Sequence, residues 1–260
     1  MKTRNFAGKV LAACAALALA SAAEAQTHDV TIDGGDAIWL AGRTDLVIPP
    51  ANAAWPGGLL RHGGPTPEEI VETMPSFVSV VAGDIVRALD PAVGGISFFN
   101  GFGAPIFGPG GNGPAGSSLT AFGGISSYTG PQGPLVGVFL SDAIPSGVAP
   151  AGLDFSPGGL GIDFLSINPG LGQVFYIGDG KTAGDVFQQF VAPAGATRLF
   201  LGIPDGFGFG GVPGAYDDND GSYRVRIGVN QVPAIPEPET YALMLAGLGA
   251  LGAVARRRRR

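Results

Sequence analysis

The chain is poor in the residues that most enzymes and redox sites are built from. Of its 260 residues one is cysteine, Cys14, and two are histidine, His28 and His62. One thiol excludes an internal disulfide and a cysteine metal cluster, and two histidines 34 positions apart exclude a paired-histidine zinc motif on one short helix. No G-x-S-x-G elbow is present. Adjacent carboxylates at Glu68 and Glu69 point apart on a helix, whereas glycosidase acids must face one cleft. Charge is sparse as well, at 14% of residues, and basic charge is nearly missing from the body. Between residues 26 and 235 seven basic residues stand against eighteen acidic ones, a net charge of about −11. A body of that sign repels nucleic acid, so no nucleic-acid partner is expected. No apolar run reaches the roughly 20 residues of a full membrane span. The chain therefore reads as non-catalytic.

What the chain has in excess is glycine, 45 residues, and proline, 22, alongside 45% hydrophobic residues and 16 phenylalanines. That much apolar surface can be buried, so Gly and Pro read as punctuation between short strands. Hydrophobic segments at 30–32, 77–81, 84–89, 95–99, 135–140, 173–177, 197–203 and 223–229 are the candidate strands. Alternation at 223–227 places Tyr223, Val225 and Ile227 on the core face and Arg224 and Arg226 in water. The expected fold is an all-β, jelly-roll-like β-sandwich with Gly/Pro-rich loops over residues 26–233. A short helix is expected from Thr66, with Pro67 in its first turn and Pro75 as its stop, and a weaker one over 183–190. Both histidines are expected in exposed loops.

The two ends read as addresses. Lys2, Arg4 and Lys9 precede an apolar run from Val10 to Ala20, and Ala23-Glu24-Ala25 supplies the small residues that signal peptidase reads. Residues 1–25 are thus a signal peptide, with cleavage expected before Gln26. Leu11-Ala12-Ala13-Cys14 offers a rival lipobox, with only four apolar residues after Lys9 to serve it.

At the other end Pro236, Glu237 and Pro238 precede an apolar stretch from Tyr241 to Ala255, and Arg256, Arg257, Arg258, Arg259 and Arg260 follow. This order over 234–260 resembles the PEP-CTERM sorting signal. The resemblance implies an exosortase as partner, an inner-membrane helix before processing, and a destination at the cell surface or in the extracellular matrix. The arginines would stay cytoplasmic by the positive-inside rule, leaving the acidic body outside. A plain C-terminal anchor, or a basic tail on acidic lipid, is the alternative.

Within the body, the segment from Asp205 through Val212-Pro213-Gly214 to Asp218-Asn219-Asp220-Gly221-Ser222-Tyr223 resembles the loop and last strand of the calcium-dependent galactophilic bacterial lectins. Phe107-Gly108-Pro109-Gly110 and Gly113-Pro114-Ala115-Gly116 are similar to an upstream segment of that family, the likeness covering about residues 77–229. It implies Ca²⁺ held by the side chains of Asp205, Asp218 and Asn219 and the backbone carbonyl of Phe107, with extracellular polysaccharide as partner. Oxygen ligands of this kind suit Ca²⁺. Ala215 stands where the family has a threonine ligand, a Gly-rich insertion separates Asp205 from Val212, and the sugar-contacting histidine has no counterpart. Asp217 or Asp220 is available as a substitute ligand, and a solvated polar turn is the other reading of these acids. Two further functions stand beside the lectin-like one: a structural surface or matrix protein without a specific ligand, and, more distantly, an exported hydrolase.

Overall fold

The computed structural model describes residues 25–50, 53, 55, 71–99, 106–232 and 248. Over residues 25–232 the described regular structure is strand, interrupted by single 3-10 turns. One sheet joins β1 (Gln26–Asp33), β3 (Ile85–Ala88), β4 (Val93–Phe98), β5 (Ile106–Phe107), β10 (Ser166–Ile167), β12 (Gln189–Val191) and β15 (Asn219–Val229). A second contains β2 (Phe77–Ser79), β8 (Val136–Leu140), β11 (Val174–Tyr176) and β13 (Arg198–Gly202). A third contains β6 (Asn112–Leu119), β7 (Tyr128–Gln132), β9 (Leu153–Asp154) and β14 (Gly210–Gly211). The all-β sandwich expected from the sequence is the fold, and every candidate strand segment overlaps one of these strands.

β15 organises the first sheet. It pairs with β1 along eight residues on one side, and with β4 and then β3 on the other. Tyr223, Val225 and Ile227 are buried and Arg224 and Arg226 are exposed, as the alternation requires. β4 and β15 meet at an unusually close approach. A Cβ at Gly94 would lie 2.2 Å from the Ser222 carbonyl, and one at Gly221 would lie 2.2 Å from the Gly95 carbonyl. Both glycines have φ near +110° (+111° and +110°), where side chains are strained.

Aromatic rings tie the sheets together. Phe190 of β12 packs on Phe175 of β11 at 5.1 Å, and Phe175 packs on Phe139 of β8 at 5.2 Å. Phe155 bridges Tyr128 of β7 and Tyr176 of β11. Trp39, in the fully buried 3-10 turn Ile38–Leu40, donates its indole N–H to the Ser126 carbonyl at 2.9 Å. Such rings carry much of a core's burial, and the buried Trp N–H needs the partner it has.

Three expectations need correction, and others fall outside the described residues. Residues 183–190 form a turn and strand β12, not a helix. Asp185 sits at φ +62°, which a right-handed helix cannot accommodate, and Lys181 bridges Phe187 across the turn. His28 is half-buried on β1 rather than in a loop, because β1 begins at Gln26 and pairs His28 with Ile227. Residues 71–74, where the helix expected from Thr66 would run on to Pro75, are not helical, and Thr73 instead bridges to Asp36. The start of that helix at 66–70, His62, the signal peptide and, Leu248 apart, the C-terminal hydrophobic helix lie outside the described residues. Among the described residues, no helix is long and apolar enough to cross a membrane.

Candidate functional site

The residues nominated for calcium fall around the point where the loop after β13 returns to open β15. Ala215, at φ +61°, turns the chain into the 3-10 turn Tyr216–Asp218, and Asn219 follows as the first residue of β15. Tyr216 is fully buried, and its hydroxyl donates to the Ile203 carbonyl at 2.8 Å while accepting the Asp205 N–H at 3.3 Å. Asp205 is 3% exposed. Its Oδ1 accepts the Gly206 N–H at 2.7 Å and its Oδ2 accepts Asn219 Nδ2–H at 2.9 Å. The same Asn219 nitrogen donates to the Gly34 carbonyl at 3.0 Å, which pins the segment after β1 to the start of β15.

Burial pushes the Asp205 carboxyl well above the usual carboxylate range, against its bonds from Asn219 and Gly206, and the charges of Asp218 and Asp217 add to the rise. Burial, then the charge of Asp217, pushes Asp218 up to about 6. Desolvation and like charge both disfavour the ionised form, so this corner holds its negative charge at a cost. Asn219 is 2% exposed, and its Oδ1 has no hydrogen-bond partner. A buried amide oxygen left in that state costs free energy unless something else meets it.

The structure brings Asp205 and Asn219 into direct contact and sets Asp218 on the adjoining turn. It does not bring Phe107 to them. Phe107 lies on β5 opposite Ile96 of β4, and Ile96 lies opposite Gly221 of β15. At about 5 Å per strand, its backbone is about 10 Å from β15. Its carbonyl accepts the Tyr223 hydroxyl at 3.3 Å. The lectin-like ligand set is therefore not assembled as a whole. Among the described residues, no group of three or more His, Cys, Asp or Glu side chains is placed to hold a metal ion. Any cation here would have to rest on Asp205, Asp218 and the Asn219 amide oxygen.

The sequence reading missed Asp36, whose carboxylate accepts the Thr73 hydroxyl at 2.7 Å and the Asp33 N–H at 2.9 Å. Its signal was there: an acid between Gly34-Gly35 and the wholly apolar Ala37-Ile38-Trp39-Leu40 has little room to be solvated. Burial raises its pKa, Thr73 and Asp33 opposing. Gly206 to Gly211, which fits G-x-G-x-x-G, forms a 3-10 turn and the two-residue β14. No helix N-terminus follows there to receive a pyrophosphate.

The site outside the sandwich is the tail. Residues 234–260 match the PEP-CTERM protein-sorting motif. The match contains Pro236, Glu237, Pro238 and the five arginines at 256–260, all outside the described residues. No curated protein and no solved structure matches the chain, so the lectin likeness of residues 77–229 has no support beyond the residues that suggested it. The PEP-CTERM tail begins five residues after β15 ends at Val229. Asn230 anchors that junction: its Nδ2–H donates to Asp84 at 2.8 Å and its Oδ1 accepts the Ile85 N–H at 3.0 Å.

Proposed function

We propose that this is a non-catalytic surface or matrix protein, exported behind a signal peptide and processed by an exosortase at its PEP-CTERM tail. The observation that carries the reading is the match over residues 234–260. The charge layout supports it, since the arginine cluster is retained on the cytoplasmic side while the acidic body crosses. So does the position of His28, on an edge strand with the Gln26 side chain as its hydrogen-bond partner. The helix over 241–255 would anchor the chain in the inner membrane only until processing. Signal peptidase and exosortase are its partners on this route.

The test follows the chain by immunoblot through membrane, surface and medium fractions. Alanine at Pro236, Glu237 and Pro238, or serine at the five arginines, should leave the unprocessed form in the membrane and lower the processed form at least tenfold. Loss of the host exosortase should have the same effect. Unchanged size and distribution in all three cases would overturn the reading.

A second reading rests on the unpartnered Asn219 oxygen and the raised Asp218: a Ca²⁺ held by Asp205, Asp218 and Asn219. The sugar that a lectin would bind there is not part of it. The sign of the pH dependence is fixed by the direction of the shift. A carboxyl whose folded pKa is raised binds more protons folded than unfolded, so stability is greatest in acid and falls as pH rises from about 4 through about 6. Asp218→Asn should flatten that fall and raise the melting temperature at pH 7.5. Calcium binds the ionised form and should offset the fall, with about 2.7 kcal/mol expected at a hundred times its dissociation constant. The calcium shift should be larger at pH 7.5 than at pH 5 and shrink in Asp218→Asn. A melt at pH 7.5 that does not respond to millimolar calcium or to chelator sinks the calcium reading.

A further inference from the structure

A cleft of about 600 Å³ lies apart from the Asp205–Asn219 network and shares no residue with it. One wall is a glycine-rich turn at 109–113, the opposite wall is the tight turn at 179–187, and Tyr176 lies between them. Its volume is within the range of small-molecule sites. The glycines at 110, 111 and 113 line the cleft without side chains, while the turn is held by the Gly111 N–H on the Gly108 carbonyl at 2.8 Å and the Leu135 N–H on the Pro109 carbonyl at 2.9 Å.

The polar groups of the cleft are fixed in place. Asp163 Oδ1 accepts the Ala183 N–H at 2.7 Å, and Asp179 Oδ1 accepts the Lys181 N–H at 3.0 Å. Each carboxylate is thus held through one oxygen and keeps the other for a ligand. The Tyr176 hydroxyl has only a long contact, 3.4 Å, to the Gly110 carbonyl. Burial, with the charge of Asp179 second, keeps this phenol protonated, so it remains a donor. Lys181 lies with its ammonium 4.5 Å from the Phe187 ring centre and is paired with Asp185 at 2.6 Å.

We propose that this cleft binds a neutral saccharide. Hydroxyl groups both donate and accept, and the cleft offers both partners: free carboxylate oxygens as acceptors, and the weakly engaged Tyr176 hydroxyl as a donor. Two carboxylates beside one already paired ammonium leave the cleft negative, which rejects phosphate, sulfate and uronate ligands. Its apolar lining is Ala92, Pro109, Ile162, Ala183 and the largely buried ring of Tyr176, too little to hold a large hydrophobic ligand. The proposal goes beyond the sorting reading, because it holds or fails whatever route brings the protein to the surface.

Affinity electrophoresis of the processed protein tests it, using native gels that contain dextran, galactan, mannan or, as the anionic control, polygalacturonate. Ala183 is exposed and contributes its backbone N–H to Asp163, so Ala183→Trp fills the cleft without removing that bond. The expected result is retardation in at least one neutral gel, unaffected by chelator and weakened at least tenfold by Ala183→Trp at an unchanged melting temperature. Asp179→Asn, which keeps the shape and removes the charge, should weaken it severalfold. No retardation in any neutral gel overturns the proposal. So does retardation that survives Ala183→Trp, that chelator abolishes, or that is stronger in polygalacturonate.

Discussion

Asn219→Leu should lower the stability of the fold at neutral pH by about 1–3 kcal/mol for each of the two buried acceptors it strips of a partner. Leucine has the branched outline of asparagine with bulkier methyl ends, so overpacking adds to the loss of hydrogen bonds. The single Nδ2 group serves both Asp205 Oδ2 and the Gly34 carbonyl, each in a buried corner. Removing it leaves Asp205 with only the Gly206 N–H, and the carboxyl, already raised by burial, rises further. A folded-state pKa above the unfolded value means stability present in acid and lost as pH climbs through the folded pKa. The penalty should accordingly be no larger at pH 4 than at pH 7. Urea unfolding at both pH values measures it, and Asp205→Leu in the Asn219→Leu background should recover part of the loss. A penalty below about 1 kcal/mol, the worth of one ordinary hydrogen bond, would mean that this corner does not clamp the two ends of the chain.

Gly94→Val should be nearly as damaging, about 4 kcal/mol or more, which places it among the exceptional single substitutions. Two costs coincide. The backbone at φ +111° strains any side chain, and the first carbon of that side chain would stand 2.2 Å from the Ser222 carbonyl. The obstacle is main chain of β15, which cannot move aside without breaking its pairing with β4. Gly83→Ala separates the two costs. Gly83 has φ +88° but nothing within 4 Å of the added carbon, so only the backbone strain, about 1–2 kcal/mol, should be lost. Thermal melts of the two variants side by side decide the matter. Equal losses would mean that the close approach of β4 and β15 contributes nothing.

The strands legible from the sequence are those that carry their own pattern. β15 alternates over 223–227, and β8 and β13 are continuous apolar runs between glycines and prolines. β5, β9, β10 and β14 are two residues long and too short to show a period. β6 is longer but reads Asn-Gly-Pro-Ala-Gly-Ser-Ser-Leu; it is a strand because Ser117, Ser118 and Leu119 pair with β7, a tertiary cause. Tertiary structure also decided residues 183–190, where Asp185 takes a conformation that its helix propensity does not foretell. At the candidate site the acids were visible as a run, Asp217-Asp218-Asn219-Asp220. What was not visible is that Asn219 turns its nitrogen to Asp205 and reaches Gly34, 185 positions earlier. The cleft was illegible for the same reason, since its walls come from segments about 70 residues apart that only the packing of the sheets brings together. The sorting tail needed no fold to be read, because its three parts are contiguous.

β15 occupies the middle of the largest sheet and is the last of the described strands, pairing Val229 with Gln26 at the very start of β1. A polypeptide threaded through a membrane from its N-terminus cannot close such a sheet while its final strand is still behind. The first strand has nothing to pair with until almost the whole domain has emerged, so the body must cross unfolded and zip shut in one late step. Contacts that link positions so distant form slowly. On the proposed route, the hydrophobic stretch that begins at Tyr241, twelve residues beyond Val229, would reach the membrane just as that step becomes feasible. Holding the chain there would give the sheet time to close before the product is released.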